Sequence, residues 1–398
     1  MKQKATVIKF NYGLNNKTDT MSLDEKFLYE AKNVLISDSG RITNSLGTSL
    51  VKTGAYHGAF VNKISKRMYL ADNGILKEVL DPSVATTYTD IKTLSNKDTV
   101  HFCEVNDWTV YANGTDYGLI NKQYVDTLQW DMPGQASLSG STGSLPNGLF
   151  QVIYTTNLPN GMETGCQNIA EIELTNEFGN SISISGLPDN ANVYVCYPNS
   201  TIFGYAGAYS GSVTLYGNYD SLGAELSTFN KSSIPSGVTA MEYWKGSLYC
   251  YVYDEVEDKT AIFWSDPMQI HLFDLSKNFI IINSKVVQLT SVSTALIIGT
   301  DKAIYSFDGV SLNEIASFGA IKGRNAIKDT IANGSDNVLI WTELGLCSAL
   351  PFRLLTDNQL SVDSGVNASG AIIEKNGLKH YIVSIKNGAK PYNQRTGE

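Results

Sequence analysis

Apolar and polar residues alternate along this chain over short stretches, and turn-forming residues precede each stretch. Trp244-Lys245-Gly246-Ser247 leads into Leu248-Tyr249-Cys250-Tyr251-Val252-Tyr253, and Ser291-Val292-Ser293-Thr294 leads into Ala295-Leu296-Ile297-Ile298-Gly299. Val338-Leu339-Ile340-Trp341 and Leu378-Lys379-His380-Tyr381-Ile382-Val383 follow similar turn residues. Period-two alternation bounded by Gly, Asn, Asp and Ser predicts β-strands, since alternate side chains of a strand face opposite sides. Equivalent positions (Leu248, Leu296, Leu339, Tyr381) recur every 40 to 50 residues or so, the spacing of propeller blades. Met68-Tyr69-Leu70 and Thr109-Val110-Tyr111 extend the rhythm toward the N-terminus. Asp308-Gly309 after Ile304-Tyr305-Ser306-Phe307 predicts a hairpin.

The rhythm breaks between about Trp130 and Asn230. Gln135 to Gly148 is rich in Gly, Ser and Pro and reads as a linker. Closely spaced strands then follow at Leu149-Phe150-Gln151-Val152-Ile153-Tyr154, Ile169 to Leu174, Ser181 to Ile184, Ala191 to Cys196 and Ser212 to Tyr216. Turn signals at Asn160-Gly161, Gly179-Asn180 and Pro188-Asp189 separate them. This is the pattern of a small fibronectin type III-like β-sandwich. The expected fold is therefore all-β: a β-propeller (1–134 and 231–398) with the sandwich (135–230) inserted.

Composition agrees with that reading. Only 17% of the 398 residues are charged, while 34 glycines and 22 tyrosines suit many short strands and tight turns. The formal net charge of −9 argues against tight nucleic-acid binding, which needs a basic surface to neutralise phosphates. The five cysteines (Cys103, Cys166, Cys196, Cys250, Cys347) form an odd set without a CxxC pair, so buried free thiols in a reducing compartment are expected. The N-terminus lacks the apolar core of a signal peptide, and no run is long enough to span a bilayer as a helix.

Catalytic and cofactor signatures are missing. The four histidines (His57, His101, His271, His380) stand at no metal-ligand spacing, and no GxSxG, HExxH or Walker-type loop occurs. No metal or cofactor is expected, and no enzyme activity. His101 and Cys103 share a strand face, but the packed-core reading outweighs a catalytic Cys–His pair. Asp38-Ser39-Gly40 resembles part of the Asp box of sialidase-type propellers. Ile36 and Thr43 replace its Ser and Trp, so a plain turn explains it better. Basic residues cluster at Lys63, Lys66 and Arg67 and at Lys322, Arg324 and Lys328. These six are candidates for a sparse basic lining of a DNA channel or an interface, against the plainer reading of solvated surface.

Three stretches resemble the tail hub or nozzle proteins of short-tailed bacteriophages, the family of tail tubular protein B and the head-to-tail stabilisation proteins. The first is Phe10-Asn11-Tyr12-Gly13-Leu14-Asn15-Asn16 with Ala31-Lys32-Asn33-Val34 to Ile42. It is similar to the family's Gly-Leu/Ile-Asn opening, Asn-Val and Asp-x-Gly; Ser45-Leu46-Gly47 keeps only the glycine of the Arg-Pro-Gly-like step that follows. The second is Val152-Ile153-Tyr154-Thr155-Thr156 with Asn160-Gly161-Met162-Glu163-Thr164, similar to the strand and turn of the fibronectin-like insertion. The third is Ile262-Phe263-Trp264-Ser265-Asp266-Pro267 with Phe273-Asp274, followed by Ile297 to Thr300 and Ile304 to Gly309.

The resemblance implies a structural virion protein assembled in the host cytoplasm into a homo-oligomeric ring of six copies. That ring would sit below portal and adaptor, extend the DNA channel, help retain the genome and dock fibres or spikes. A different class stays open: a glycan-binding or glycan-degrading propeller used in host adsorption. Trp244, Trp264 and Trp341 would be its candidate sugar platforms, although core packing explains each equally well. A plain scaffold without a channel role is a third reading.

Overall fold

The computed structural model describes all residues except 1–8, 33, 38, 45–51, 82–86, 123, 218–221, 331–335, 357–358, 362, 376–377 and 387–398. Asp38 and Ser45 to Gly47, singled out in the sequence, lie outside the described residues. Among those described there is no α-helix, and hence no helix long and apolar enough to cross a membrane.

The chain opens with a short hairpin, β1 (Val34–Ile36) and β2 (Ile42–Asn44). Blade one is β3 (Tyr56–Val61), β4 (Met68–Asp72), β5 (Ile75–Val79) and β6 (Tyr88–Thr93). Blade two is β7 (His101–Val105), β8 (Trp108–Ala112), β9 (Tyr117–Asn121) and β10 (Tyr124–Asp126). The insert contributes β11 (Ser137–Leu145), β12 (Gly148–Thr155), β13 (Ala170–Leu174), β14 (Asn180–Cys196) and β15 (Gly204–Leu215). Blade three is β16 (Ala240–Trp244), β17 (Ser247–Asp254) and β18 (Lys259–Asp266), with β19 (Gln269–Phe273) and β20 (Phe279–Ile282) sharing the outer edge of β18. Blade four is β21 (Val286–Ser291), β22 (Leu296–Thr300), β23 (Ile304–Phe307) and β24 (Leu312–Ala316). Blade five is β25 (Ile327–Thr330), β26 (Asp336–Thr342), β27 (Gly345–Ala349) and β28 (Phe352–Leu354). A last hairpin, β29 (Asn367–Lys375) and β30 (Leu378–Lys386), forms the sixth sheet.

Each blade is an antiparallel meander whose strands pair in sequence order, except that β20 of blade three returns to pair with β18. The first strands touch one another in the series β3, β7, β16, β21, β25, β29 and so surround a common axis. This is a β-propeller. Blade faces pack on their neighbours through separate apolar cores: Tyr69, Leu76 and Phe102 between blades one and two, and Val110, Leu119, Met241 and Phe273 between two and three. Tyr251, Ile262, Leu296 and Phe307 join three to four, Ile297, Ile304, Val338 and Ile340 join four to five, and Trp341 with Ala368 joins five to the last hairpin. Burying such side chains is worth about 1.5–3 kcal/mol each, so the successive interfaces hold the ring together.

Turn chemistry sets the register. Asn73-Gly74 and Lys245-Gly246 both take positive φ at two successive residues, the type I′ geometry that suits tight hairpins. Asp308-Gly309 does join β23 to β24, but through a four-residue loop in which Asp308 Oδ1 accepts the backbone N–H groups of Val310 and Ser311.

The insert leaves after blade two and returns before blade three. β14 is hydrogen-bonded to β15 along its length; on its other side its first part pairs with β11 and its second with β12. The two halves close on a core of Phe150, Val152, Ile182, Ile184, Val193 and Val195, like the leaves of a sandwich. Two expectations are corrected here. The Gly/Ser stretch after Gln135 is strand β11, not a linker, because Leu138 and Leu145 face the core and the small residues between them fit against β14. Pro188-Asp189 does not end a strand. Gly186 and Asn190, both at positive φ, make an irregularity that β15 bridges, so one bent strand continues.

The segment before β1 meets the segment between β28 and β29. Asn16 N–H donates to Gln359 O (3.0 Å), and Ser361 N–H donates to Asn16 Oδ1 (2.7 Å).

Candidate functional site

The first strand of each blade runs beside the axis, so residues on these strands and just before them can line an axial space. In this chain such residues, with Lys63 just after β3, line a cavity of about 410 Å³. Phe60 and Lys63 come from blade one, His101, Cys103 and Glu104 from blade two, and Glu242 from blade three. Gln288 and Thr290 come from blade four, and Arg324 and Lys328 from blade five. His101 also lines a second cavity of about 360 Å³, whose wall includes Asp98, Tyr251, Glu255, Lys285 and Lys322. Its imidazole therefore stands between the two.

Charge in the first cavity is arranged unevenly. Glu242 is 7% exposed, and three donors converge on its Oε1: Ser291 N–H (3.1 Å), Ser291 Oγ (2.7 Å) and Lys328 Nζ (2.5 Å). Glu104 accepts from the backbone N–H of Lys63 (2.6 Å). Half-buried Arg324 donates Nη1 to Ala59 O (2.5 Å) and lies over the Phe60 ring at 4.7 Å. Among the described residues no carboxylate is within 4.0 Å of its guanidinium or of the Lys63 ammonium. Burial, and after it the charges of Arg324 and Lys322, push the His101 pKa down to about 4, so the ring is neutral at pH 7. Burial raises the Cys103 thiol well above its ordinary value.

The six basic residues separate by location. Lys63, Arg324 and Lys328 line the first axial cavity and Lys322 the second. Lys66 occupies the β3–β4 turn at positive φ, exposed, and Arg67 is ion-paired within blade one to Glu78. Glu104 and Glu242 complete the lining, and sequence reasoning did not find them. Their signal was a single acid within an otherwise apolar first strand, as in Ala240-Met241-Glu242-Tyr243-Trp244. The three tryptophans do not face the axis. Trp244 packs on Tyr249 and Phe307, Trp264 stacks on Tyr249 at 5.6 Å, and Trp341 donates Nε1 to Ser364 O (3.0 Å). All five cysteines are buried free thiols. Among the described residues no group of three His, Cys, Asp or Glu side chains could hold a metal ion.

A second polar centre fixes the insert to blade three. Lys231, in the segment returning from the insert, lies 2.9 Å from Asp266 and 3.5 Å from Asp274. His271 Nε2 is 2.9 Å from Glu163 O, and Trp130 Nε1 donates to His271 O (3.0 Å). The Glu163 carboxylate in turn accepts from Tyr194 Oη (2.8 Å).

No family model matches the chain, and no curated protein is similar to it by sequence. Solved structures similar to it include the WD40 domain of Neurospora crassa Pan2, at 9% identity and a TM-score of 0.35, covering 85% of this chain and 91% of that one. The N-terminal domain of Nup159 is similar at 10% identity and a TM-score of 0.32, over 78% of this chain and 79% of that one. The extracellular domain of the putative one-component system BT4673 from B. thetaiotaomicron is similar at 12% identity and a TM-score of 0.30, over 81% of this chain. The match spans only 36% of that longer chain.

Proposed function

We propose that this β-propeller is a structural subunit of a short-tailed phage tail: a hub or nozzle protein, without enzymatic activity, assembled as a six-membered ring below portal and adaptor. The observation that carries the reading is the contact between Glu163 and His271, 2.9 Å from the Glu163 carbonyl to Nε2. Glu163 belongs to the insertion motif and His271 lies between the two parts of the blade-three motif, Ile262 to Pro267 and Phe273-Asp274, so the segments carrying two of the three family-like stretches meet at one joint. Asp266 and Asp274 of the same blade-three motif hold Lys231, the residue that returns the chain from the insert. The first stretch is likewise built as a joint. Gly40 takes φ +74°, and a Cβ there would lie 2.6 Å from the Asn11 backbone nitrogen, so Phe10-Asn11 and the β1–β2 turn need a glycine to approach.

An axial cavity of about 410 Å³ has small-molecule dimensions and is too small for a duplex. In this reading the DNA passes through the hole between ring copies, not along the propeller's own axis. Lys66, exposed on the β3–β4 turn and outside both cavities, is then one basic residue available to an interface or channel surface. The adsorption reading loses its aromatic platforms, since Trp244, Trp264 and Trp341 are engaged in packing.

The test is cryo electron microscopy of the protein mixed with its cognate portal–adaptor complex, with mass spectrometry of purified virions. A symmetric extra ring at the distal end and stoichiometric copies in the particle are expected. A virion without this chain would overturn the proposal.

A further inference from the structure

The axial cavity carries one more cation than carboxylate, and among the described residues two of its three cations have no directly paired carboxylate. Glu242 is committed to Ser291 and Lys328, and Glu104 to the Lys63 backbone, whereas the Lys63 ammonium and the Arg324 guanidinium have no carboxylate partner among the described residues. Arg324 is also held in place, by its bond to Ala59 O and its seat over the Phe60 ring. A positioned, half-buried guanidinium with free N–H groups suits a planar carboxylate, which it can bind through two parallel hydrogen bonds. The remaining wall is polar: the Thr290 hydroxyl and the acceptor oxygens of Glu104 are suited to hydroxyl groups.

We propose that the axial cavity is a binding site for a small hydroxylated organic monoanion, a sugar acid or hydroxy acid, whose carboxylate pairs with Arg324 and Lys63. The volume of about 410 Å³ lies within the range of small-ligand sites. The single surplus positive charge of the wall matches a monoanion better than a phosphate dianion, whose second charge would stand uncompensated beside Glu104 and Glu242. The site does not depend on the assembly role proposed above.

Isothermal titration with D-glucuronate, and with inorganic phosphate as the competing anion, tests this on the intact chain. Saturable binding of D-glucuronate at one site per chain is expected, with phosphate much weaker. Exposed Lys63 makes no side-chain ion pair, so Lys63→Met should fold normally and bind about tenfold more weakly, the scale of one charge-assisted hydrogen bond. Arg324→Gln should abolish binding, and Lys322→Met, in the other cavity, should leave it unchanged. Circular dichroism and melting of each variant establish that it is folded. No saturable heat with the folded wild-type chain would overturn the proposal. So would phosphate binding as tight as D-glucuronate, or binding unaltered in both Lys63→Met and Arg324→Gln.

Discussion

Lys328 Nζ lies 2.5 Å from Glu242 Oε1, an ion pair that joins blade five to blade three past blade four. Ser291, at the end of the intervening blade's first strand, donates to the same carboxylate, so three blades meet at one side chain. Replacing Glu242 by Ala leaves two donors and a cation without their acceptor. Lys328 is half exposed and keeps its bond to Ser291 Oγ (3.0 Å), so we expect a loss of about 1–2 kcal/mol, mostly from the Ser291 donors, measured by urea unfolding. Glu242→Gln with Lys328→Met should recover part of that loss, because no unpaired charge remains.

Acid should weaken the protein before its carboxylates titrate. His101 has a folded-state pKa of about 4, against about 6.5 unfolded, so the unfolded chain binds its proton first as pH falls. The associated stability is complete above pH 6.5, declines between about 6.5 and 4, and amounts to at most about 3 kcal/mol. Burial lowers the His271 pKa as well, so it contributes in the same direction. Melting temperatures from pH 7.5 to 4.5 should fall, and His101→Gln should flatten part of the slope.

Gly323 controls the approach of the last hairpin. Its φ is +107°, and any Cβ there would collide with the Ala368 carbonyl and the Asn367 side chain. Ala368 N–H donates to Lys322 O and Gly370 N–H to Arg324 O, so this backbone is what β29 docks on. Gly323→Ala should cost more than about 1 kcal/mol, the usual scale of strain at positive φ. Hydrogen exchange should report the loss first at Ala368 and Gly370.

The insert's attachment rests on Lys231. Its side chain and those of Asp266 and Asp274 are 10–20% exposed, so their pairing is worth more than a surface ion pair. Lys231→Met should lower stability by about 1–3 kcal/mol and leave the insert's own core intact. Limited proteolysis should then cut more readily near the Lys231 segment.

Thiol reactivity offers a further check on the fold. Burial pushes the Cys166 thiol up to about 12 and raises those of Cys103, Cys250 and Cys347, and Cys196 is buried too. Ellman's reagent should react slowly or not at all with the native chain at pH 8 and with all five thiols after denaturation.

Much of the propeller was legible because its signals are local. Alternating strands after turn residues marked the blade strands from Met68 to Trp341 and the all-β fold they build. What escaped depended on partners distant in sequence. Ser137 to Leu145 looks like a linker until β14 supplies its hydrogen bonds, and Gly186 to Asn190 looks like a turn until β15 bridges it. Lys63, Lys66 and Arg67 are near neighbours in sequence, yet the β3–β4 turn sends one to the axis, one to solvent and one back onto Glu78. Glu242 carried little signal, since its role comes from Ser291 and Lys328, which the ring closure brings to it.

The long β14–β15 ladder has a mechanical consequence. β14 spans both halves of the insert, so neither half can peel away without carrying the other. Force that draws β14 and β15 in opposite directions along their length loads many cross-strand hydrogen bonds in shear, and they must yield together. A pull that parts the strands from one end breaks them one at a time. The insert is thus stiff toward force directed along its strands and compliant toward force across them.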